Sequence, residues 1–318
     1  MKLKFVKLNA FLFLILFVLF SCSKDPETII ETVEVVKEVE VTVTETVTVE
    51  VDPFADSTLE GVLTSDKTLS SDKIWLIKGR VVVGDGATLT IPAGTVIKAE
   101  PGSGADASTL IIARGGKIDA KGTASKPIIM TAKADNIQAD GTYPATGASL
   151  TVNSRGLWGG LLVLGKAPSS FKGDVSELQI EGIPVSDTNG LYGGSVSDDN
   201  SGTMQYISIR HGGAEIGEGN EINGLTLGGV GSGTVIDHIE VIANVDDGIE
   251  FFGGTVNASY LLVWGQGDDA LDIDQAYSGI IDDAYVILED ASDHGMEIDG
   301  PEGSAAGSFT IKNVTIDG

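Results

Sequence analysis

Acidic residues recur in the carboxyl-terminal part of the chain at steps of 22 and 25 residues. One repeat position holds Asp246, Asp268 and Asp293, and a second holds Glu250, Asp272 and Glu297. If successive repeats stack, like carboxylates lie about 5 Å apart, which costs free energy unless a cation, a shared proton or solvent compensates. Calcium binds six to eight oxygen ligands and suits such a cluster. These six residues are therefore candidate Ca²⁺ ligands, and the alternative is a solvated acidic edge that keeps the molecule soluble.

A second chemistry is available to the same region. Asp247, Asp268, Asp269 and His294 place carboxylates and one imidazole on neighbouring repeats. Two carboxylates on opposite sides of a glycosidic bond can act as general acid and base. The sequence leaves catalysis by these four residues open as an alternative to cation binding.

The acids belong to an internal repeat. Its key apolar position holds Leu225, Ile249, Leu271 and Met296, with steps of 24, 22 and 25 residues. A second family of strand-like segments interleaves with the first, at residues 234–242, 255–263, 279–287 and 309–316. Repeats of this length, with short apolar alternations and turn residues between them, indicate a solenoid.

About three short strands per repeat are typical of one coil of a right-handed parallel β-helix. The alternation predicts that Leu271 and Ile273 point inward and that Asp272 and Asp274 point outward. Gly and Asn are expected at the corners, where the backbone needs positive φ. A leucine-rich repeat and a β-propeller are excluded, because the fixed leucine frame is absent and propeller repeats are nearer 40 residues. The prediction is an all-β solenoid over residues 54–318, with an excursion at 167–200 and further chain beyond Gly318.

The first residues predict export and lipidation. Lys2, Lys4 and Lys7 precede an apolar run of 11 residues, which is too short to span a membrane and suits a signal peptide. Residues 19–22 resemble a bacterial lipobox, and Cys22 is the only cysteine. We therefore expect residues 1–21 to be a signal peptide and Cys22 to carry a lipid. Residues 23–27 partly resemble a surface-export signal, which predicts outward display on the outer membrane.

Residues 22–53 form a low-complexity segment rich in Val, Glu and Thr. From Val39 the alternation has a period of two, which is typical of a strand, whereas Ile29, Val33 and Val36 fit a helical spacing equally well. Such a segment cannot build a core by itself. It is predicted to be an extended tether, with a self-associating β or coiled-coil stalk as the alternative.

Composition narrows the choice of partners. The chain of 318 residues has 20 basic and 46 acidic residues, for a formal net charge of -26. Nucleic acid is excluded as a partner, because phosphate recognition needs clustered Lys and Arg. One cysteine permits neither an internal disulfide nor a cysteine-based zinc site. Cations, polysaccharides and surface proteins remain as candidate partners of the chain.

The repeats resemble a known group of proteins. Residues 86–95, the Trp158-Gly159-Gly160 strand, and residues 220–229, 246–257 and 294–303 are similar to β-helix surface lipoproteins of Bacteroidota, which are often labelled as transporters. The resemblance covers roughly residue 65 to the end. It implies a right-handed parallel β-helix at the cell surface, and it implies no settled activity.

A weaker resemblance supports the catalytic alternative. Asp247-Gly248, Asp268-Asp269 and His294-Gly295 follow the order and spacing found in polygalacturonase-type hydrolases. Val245 stands where those enzymes have Asn, and their basic Arg-x-Lys motif is absent. These departures put the implied glycosidase activity in doubt.

Aromatic residues could contribute to sugar binding. Trp75, Trp158, Trp264 and Tyr260 can stack on sugar rings if they are exposed, although filling strands and corners is the favoured interpretation. His238 alternates with apolar residues and is interpreted as a packed or edge histidine. The sequence thus predicts a surface module that binds glycan or a protein partner, stabilised by Ca²⁺, with a polysaccharide hydrolase or lyase as the alternative.

Overall fold

The fold is taken from a computed structural model, which describes residues 29–35, 43–49, 53–215 and 222–318. The chain divides into two compact units, Met1–Ala55 and Asp56–Gly318. In the first unit, strands β1 (Ile29–Val35) and β2 (Val43–Val49) pair in antiparallel register, with Ile29 opposite Val49. The upstream half of the valine-rich segment is therefore a strand in its described part. Cys22 and the expected signal peptide lie outside the described residues.

The second unit is built from short strands. They are β3 (Thr58–Leu63), β4 (Lys67–Thr68), β5 (Ile74–Val83), β6 (Thr88–Pro92), β7 (Val96–Ala99), β8 (Thr109–Ile112), β9 (Lys117–Lys121), β10 (Ile128–Ala132), β11 (Leu161–Leu164), β12 (Leu178–Gln179), β13 (Leu191–Tyr192), β14 (Gly202–Arg210), β15 (Leu225–Gly228), β16 (Val235–Ile242), β17 (Ile249–Phe252), β18 (Asn257–Trp264), β19 (Leu271–Asp274), β20 (Ile280–Ile287), β21 (Glu297–Ile298) and β22 (Thr310–Asp317). Two single-turn 3₁₀ helices, Gly104–Asp106 and Thr188–Gly190, interrupt them.

All these strands except β12 and β13 pair in parallel and stack into three faces. Face one contains the first halves of β3 and β5, then β7 and β10, then the second halves of β14, β16, β18, β20 and β22. Face two contains the second halves of β3 and β5, then β8, β11, β15, β17, β19 and β21. Face three contains β4, β6 and β9, then the first halves of β14, β16, β18, β20 and β22. The predicted parallel β-helix is confirmed.

The register also agrees with the predicted repeat. Leu225 lies opposite Ile249, and Ile249 opposite Leu271, while Asp272 lies opposite Glu297. Leu271 and Ile273 are buried, and Asp272 and Asp274 are less buried and face outward. Period-two alternation alone is thus enough to assign the two sides of these strands.

The residues at the corner between faces three and one differ from the Gly and Asn that the sequence predicts there. Each of five successive coils turns there on one residue with positive φ, and glycine occupies none of these positions. The residues are Tyr206, His238, Tyr260, Asp283 and Asn313. Aspartate and asparagine tolerate this conformation, whereas tyrosine is rarely found in it. The prediction that Gly and Asn occupy the corners is therefore wrong for four of these five coils, and only Asn313 agrees with it.

Two long segments leave the solenoid and pack on its outside. Residues 167–200 contain the antiparallel pair of β12 and β13, which confirms the predicted excursion. Its Phe171, Ile180 and Tyr192 form a buried cluster with Ile111 and Leu162, among others, so that it covers the outward side of face two. Residues 133–160 connect β10 to β11, and their Ile137 and Tyr143 pack on Ile129 and Val96 of face one.

In the part of the chain that the structure describes, no helix is long and apolar enough to cross a membrane. The apolar run at residues 10–20 lies outside that part.

Candidate functional site

A hydrogen-bonded ladder runs up the turn that precedes face two. Asn223, Asp247, Asp269 and His294 occupy the same turn position in four successive coils. The Oδ1 atoms of Asn223, Asp247 and Asp269 accept the backbone N–H of the next member, at 3.2, 2.9 and 2.9 Å. These bonds tie neighbouring coils together. The side chains of Asp247 and Asp269 therefore have a structural role that the repeat pattern does not predict.

Beside the ladder, a column of acids lies on the outward side of face two. Glu250 lies opposite Asp272, and Asp272 lies opposite Glu297. Glu250 is 6% exposed and its Oε2 accepts a hydrogen bond from Asn223 Nδ2. Glu250, one of the six candidate ligands, is therefore buried and does not belong to a solvated acidic edge. Asp272 Oδ1 is buried and has no hydrogen-bond partner.

The remaining candidate ligands border a cavity at the edge of the same turn. Asp246, Asp268 and Asp293 line it together with small neighbours, and its volume is about 440 Å³. Asp268 and Asp293 are exposed, and Asp246 is half-buried. The structure thus brings the three members of this predicted column to one opening.

Carboxylate oxygens from the two columns converge on Asp247. Asp246, Asp247 and Asp268 offer oxygen atoms within 4.8 Å of one another, and so do Asp247, Glu250 and Asp272. The sequence predicts Asp247 only as a catalytic residue, yet it is common to both triads. Asp293 and Glu297, two of the predicted ligands, lie outside these triads.

One acid in the neighbourhood comes from the excursion. Glu181 follows the buried Ile180, and its carboxyl group interacts with Asn223 and with the charges of Asp246 and Asp272. Desolvation and the charge of Asp246 raise the pKa of Glu181 to about 7. In the sequence, Glu181 stands out only as an acid near Ile180 and Ile183 within the excursion. That pattern does not reveal which face of the solenoid the excursion covers.

Burial and the neighbouring negative charges raise the pKa of several carboxyl groups in this cluster. Burial, with a contribution from Asp246, raises the pKa of Asp247 to about 9. Burial and the nearby charges of Glu181 and Asp272 raise the pKa of Glu250 well above its usual value. Burial also raises the pKa of Asp272 and Asp268. Protons therefore neutralise part of this cluster when no cation is bound.

Two further acids of face two, Asp274 and Glu297, also have pKa values above the ordinary range of a carboxyl group. Burial raises the pKa of Asp274 to about 6. A hydrogen bond to Asp269 is the main cause that raises the pKa of the exposed Glu297 to about 7. Among the described residues, neither Lys nor Arg forms an ion pair with Asp247, Glu250 or Asp272. A proton or an added cation has to supply the compensating charge.

The four residues of the catalytic alternative also lie together. His294 Nδ1 is 3.0 Å from Asp269 Oδ1, and His294 Nε2 is 3.6 Å from Asp293 Oδ1. The pKa of His294 is raised, chiefly by the charge of Asp293. However, Asp269 is 1% exposed and Asp247 is 7% exposed, and each uses one oxygen in the ladder. A general acid has to reach the glycosidic oxygen, and in this structure these two side chains are enclosed.

Comparison with protein families identifies the fold. The sequence model of the pectate-lyase-like β-helix domain matches residues 61–318. The chain belongs to this family. Membership of this family is compatible with binding and with catalysis, because a fold does not by itself imply a function. Comparisons with curated proteins and with solved structures give no match.

Proposed function

We propose that this chain is a non-catalytic binding module of the cell surface whose face two is stabilised by Ca²⁺. The observation that carries the proposal is the convergence of two carboxylate triads on Asp247. Among the described residues, no Lys or Arg forms an ion pair with Asp247, Glu250 or Asp272. Carboxylate oxygens at this spacing match the preference of calcium for several hard oxygen ligands. Asp246, Asp247 and Asp268 would hold one ion, and Asp247, Glu250 and Asp272 a second.

The donor set fits such an ion. Every candidate ligand offers oxygen, and the buried Asp272 Oδ1 lacks a partner that a cation would supply. When bound, calcium would provide positive charge for the carboxylates of Asp247, Glu250 and Asp272. The ladder of Asn223, Asp247 and Asp269 holds the turn backbone, so that the ligands are positioned by hydrogen bonds between coils.

A polysaccharide hydrolase or lyase is the alternative. The exposed Asp268 and the exposed imidazole of His294 favour it, because both are accessible near the 440 Å³ cavity. Against it stand the burial of Asp247 and Asp269 and their use in the ladder. Binding without turnover is therefore the better-supported function.

A polysaccharide screen separates the two functions. We expect the purified full chain, tested with neutral and acidic polysaccharides in the presence of calcium or EDTA, to retain a ligand without producing new reducing ends or unsaturated products. Asp269→Asn should change neither result, because an amide oxygen can still accept the His294 N–H. Reducing ends or unsaturated products that disappear in Asp269→Asn would establish the enzyme instead.

The chain is also proposed to be anchored by a lipid on Cys22 and displayed on the outer membrane, where its partner is a polysaccharide or a surface protein. We expect Cys22→Ala to move the protein from the membrane fraction to the soluble fraction, since an acyl anchor supplies the membrane affinity. Ser23→Ala is the matched control and should remain in the membrane fraction. Retention of Cys22→Ala with the outer membrane would contradict the anchor.

A further inference from the structure

A column of aromatic rings marks the corner between faces three and one. The rings of Tyr206 and His238 stack at 4.1 Å between centroids, and those of His238 and Tyr260 stack at 4.5 Å. These distances are close to the spacing of stacked strands, about 4.8 Å, so each coil contributes one ring. The column ends at Tyr260, which is 52% exposed, because the next coil has Asp283 at this position.

The turn itself does not need these rings. Asp283 and Asn313 make the same positive-φ bend one and two coils farther on, with residue types that tolerate it. Tyrosine is an unusual choice at such a backbone position, and bulky residues held there are often found at functional sites. The aromatic column therefore points to a role beyond forming the corner.

A cavity of about 300 Å³ lies beside the column on face one. Its aromatic wall is formed by Tyr206, His238 and Tyr260, and Leu262 adds an apolar surface. This volume is at the lower end of the range for small-molecule sites, about 300–1,000 Å³. It suits a single ring-sized group. No member of the two carboxylate triads lines it.

Three polar side chains converge on the same cavity. Arg210 Nη2 lies 3.3 Å from Glu240 Oε1, and Arg210 Nε donates to Ser208 Oγ at 2.6 Å. Ser208 also donates to Glu240. Outside the cavity lining, Tyr143 Oη accepts from Arg210 Nη1 at 3.2 Å. The guanidinium group is therefore held in one orientation before any ligand arrives.

The chemistry of this cavity selects a class of ligand. The carboxylate of Glu240 accepts hydrogen bonds and the guanidinium of Arg210 donates them, so the pair matches neighbouring hydroxyl groups of a sugar. Hydrogen bonds to charged groups are stronger than those between neutral groups. Aromatic and leucine side chains match the apolar C–H surface of a sugar ring. Arg210 and Glu240 neutralise each other, and the chain carries a net charge of -26, so an anionic sugar gains no attraction.

We propose that this face-one cavity binds one pyranose ring of a neutral polysaccharide, with Tyr260 and Leu262 against the ring and Glu240 and Arg210 on its hydroxyl groups. The inference rests on the proposed binding function and names its ligand class and its site. It assigns the glycan to face one and calcium to face two, so that the two can be tested separately.

Titration calorimetry of the purified full chain tests this site. The probes are the hexasaccharides of cellulose, mannan, xylan and amylose, with hexagalacturonate as the anionic comparison. We expect at least one neutral probe to bind, and Tyr260→Asn to weaken it about tenfold, as an aromatic contact contributes. Asn is already used at this corner in Asn313, so this variant removes the ring and suits the turn. Glu240→Gln should weaken binding by about the same factor.

The control is Ile280→Ala, which removes an exposed apolar side chain of face three outside the cavity lining and should leave affinity unchanged. Binding should persist in EDTA. Failure of every neutral probe at millimolar concentration overturns the proposal, and so does equal binding by Tyr260→Asn and Glu240→Gln. Calcium stabilisation with no neutral sugar bound would defeat this inference alone and leave the binding module with a protein partner. Calcium-dependent binding of hexagalacturonate only would also overturn it.

Discussion

Replacing Ile249 or Leu271 by aspartate is expected to unfold the neighbouring coils of the solenoid. Both side chains are fully buried, and they stack on each other in the core of face two. Burying an unpaired charge costs several kcal/mol, which is a large part of the 5–15 kcal/mol that typically stabilises a domain. Each coil contacts only its neighbours, so the damage starts locally. Thermal melting and amide hydrogen exchange measure it.

Asp272→Asn is the matched control, because it lies next to Leu271 and points to the other side of the strand. It removes one of several mutually repelling carboxyl groups and should leave the melting temperature of the calcium-free protein nearly unchanged or raise it. A one-residue shift of register inverts the two sides of a strand. If Asp272→Asn unfolds the protein and Leu271→Asp does not, the assignment of core and surface is wrong.

Local sequence patterns predict the solenoid because every coil of a β-helix has a similar arrangement of short strands and turns. The recurrence of Leu225, Ile249 and Leu271 set the register, and alternation set the two sides of each strand. Neither depends on contacts between distant parts of the chain. The excursion at 167–200 could be recognised only as an interruption of the repeat. Its packing on face two depends on Phe171 and Tyr192 meeting residues of other coils, which no period reveals.

The candidate site was predictable in part for the same reason. Repeat spacing placed Asp246 next to Asp268 and Glu250 next to Asp272, and these pairs do meet in the two triads. The burial of Glu250 was missed because it depends on Asn223 and on tertiary packing. Glu181 was missed because it belongs to the excursion and not to the repeat. The stacked rings of Tyr206, His238 and Tyr260 were missed because a corner was expected to need Gly or Asn.

Without a divalent cation, the protein is expected to lose stability as the pH rises from about 5 to 9. Asp247 has a pKa of about 9 in the folded protein and about 3.8 in its ordinary state. Folding therefore raises its affinity for a proton. The stabilisation from this proton is complete below the unfolded pKa and disappears as the pH rises through the folded one. The raised pKa values of Glu250, Glu297 and Asp274 act in the same direction.

Calcium should reverse this loss, because it replaces the protons with a bound charge. A ligand that binds only the folded state stabilises it by about 2.7 kcal/mol at a hundred times its dissociation constant. We expect millimolar calcium to raise the melting temperature more at pH 8 than at pH 5, since fewer protons compete for the carboxylates at the higher pH. Magnesium should have a smaller effect, because it prefers a regular octahedral shell and retains water.

The double variant Asp268→Asn with Asp272→Asn removes one charged ligand from each triad. It should abolish most of the calcium-induced shift and leave the circular dichroism spectrum unchanged. The matched control is Asp282→Asn with Asp290→Asn, which removes two acids outside both triads and should keep the shift. Sodium chloride at equal ionic strength screens repulsion without coordinating. If sodium stabilises as much as calcium at pH 8, the acids of face two form a solvated edge with no cation site.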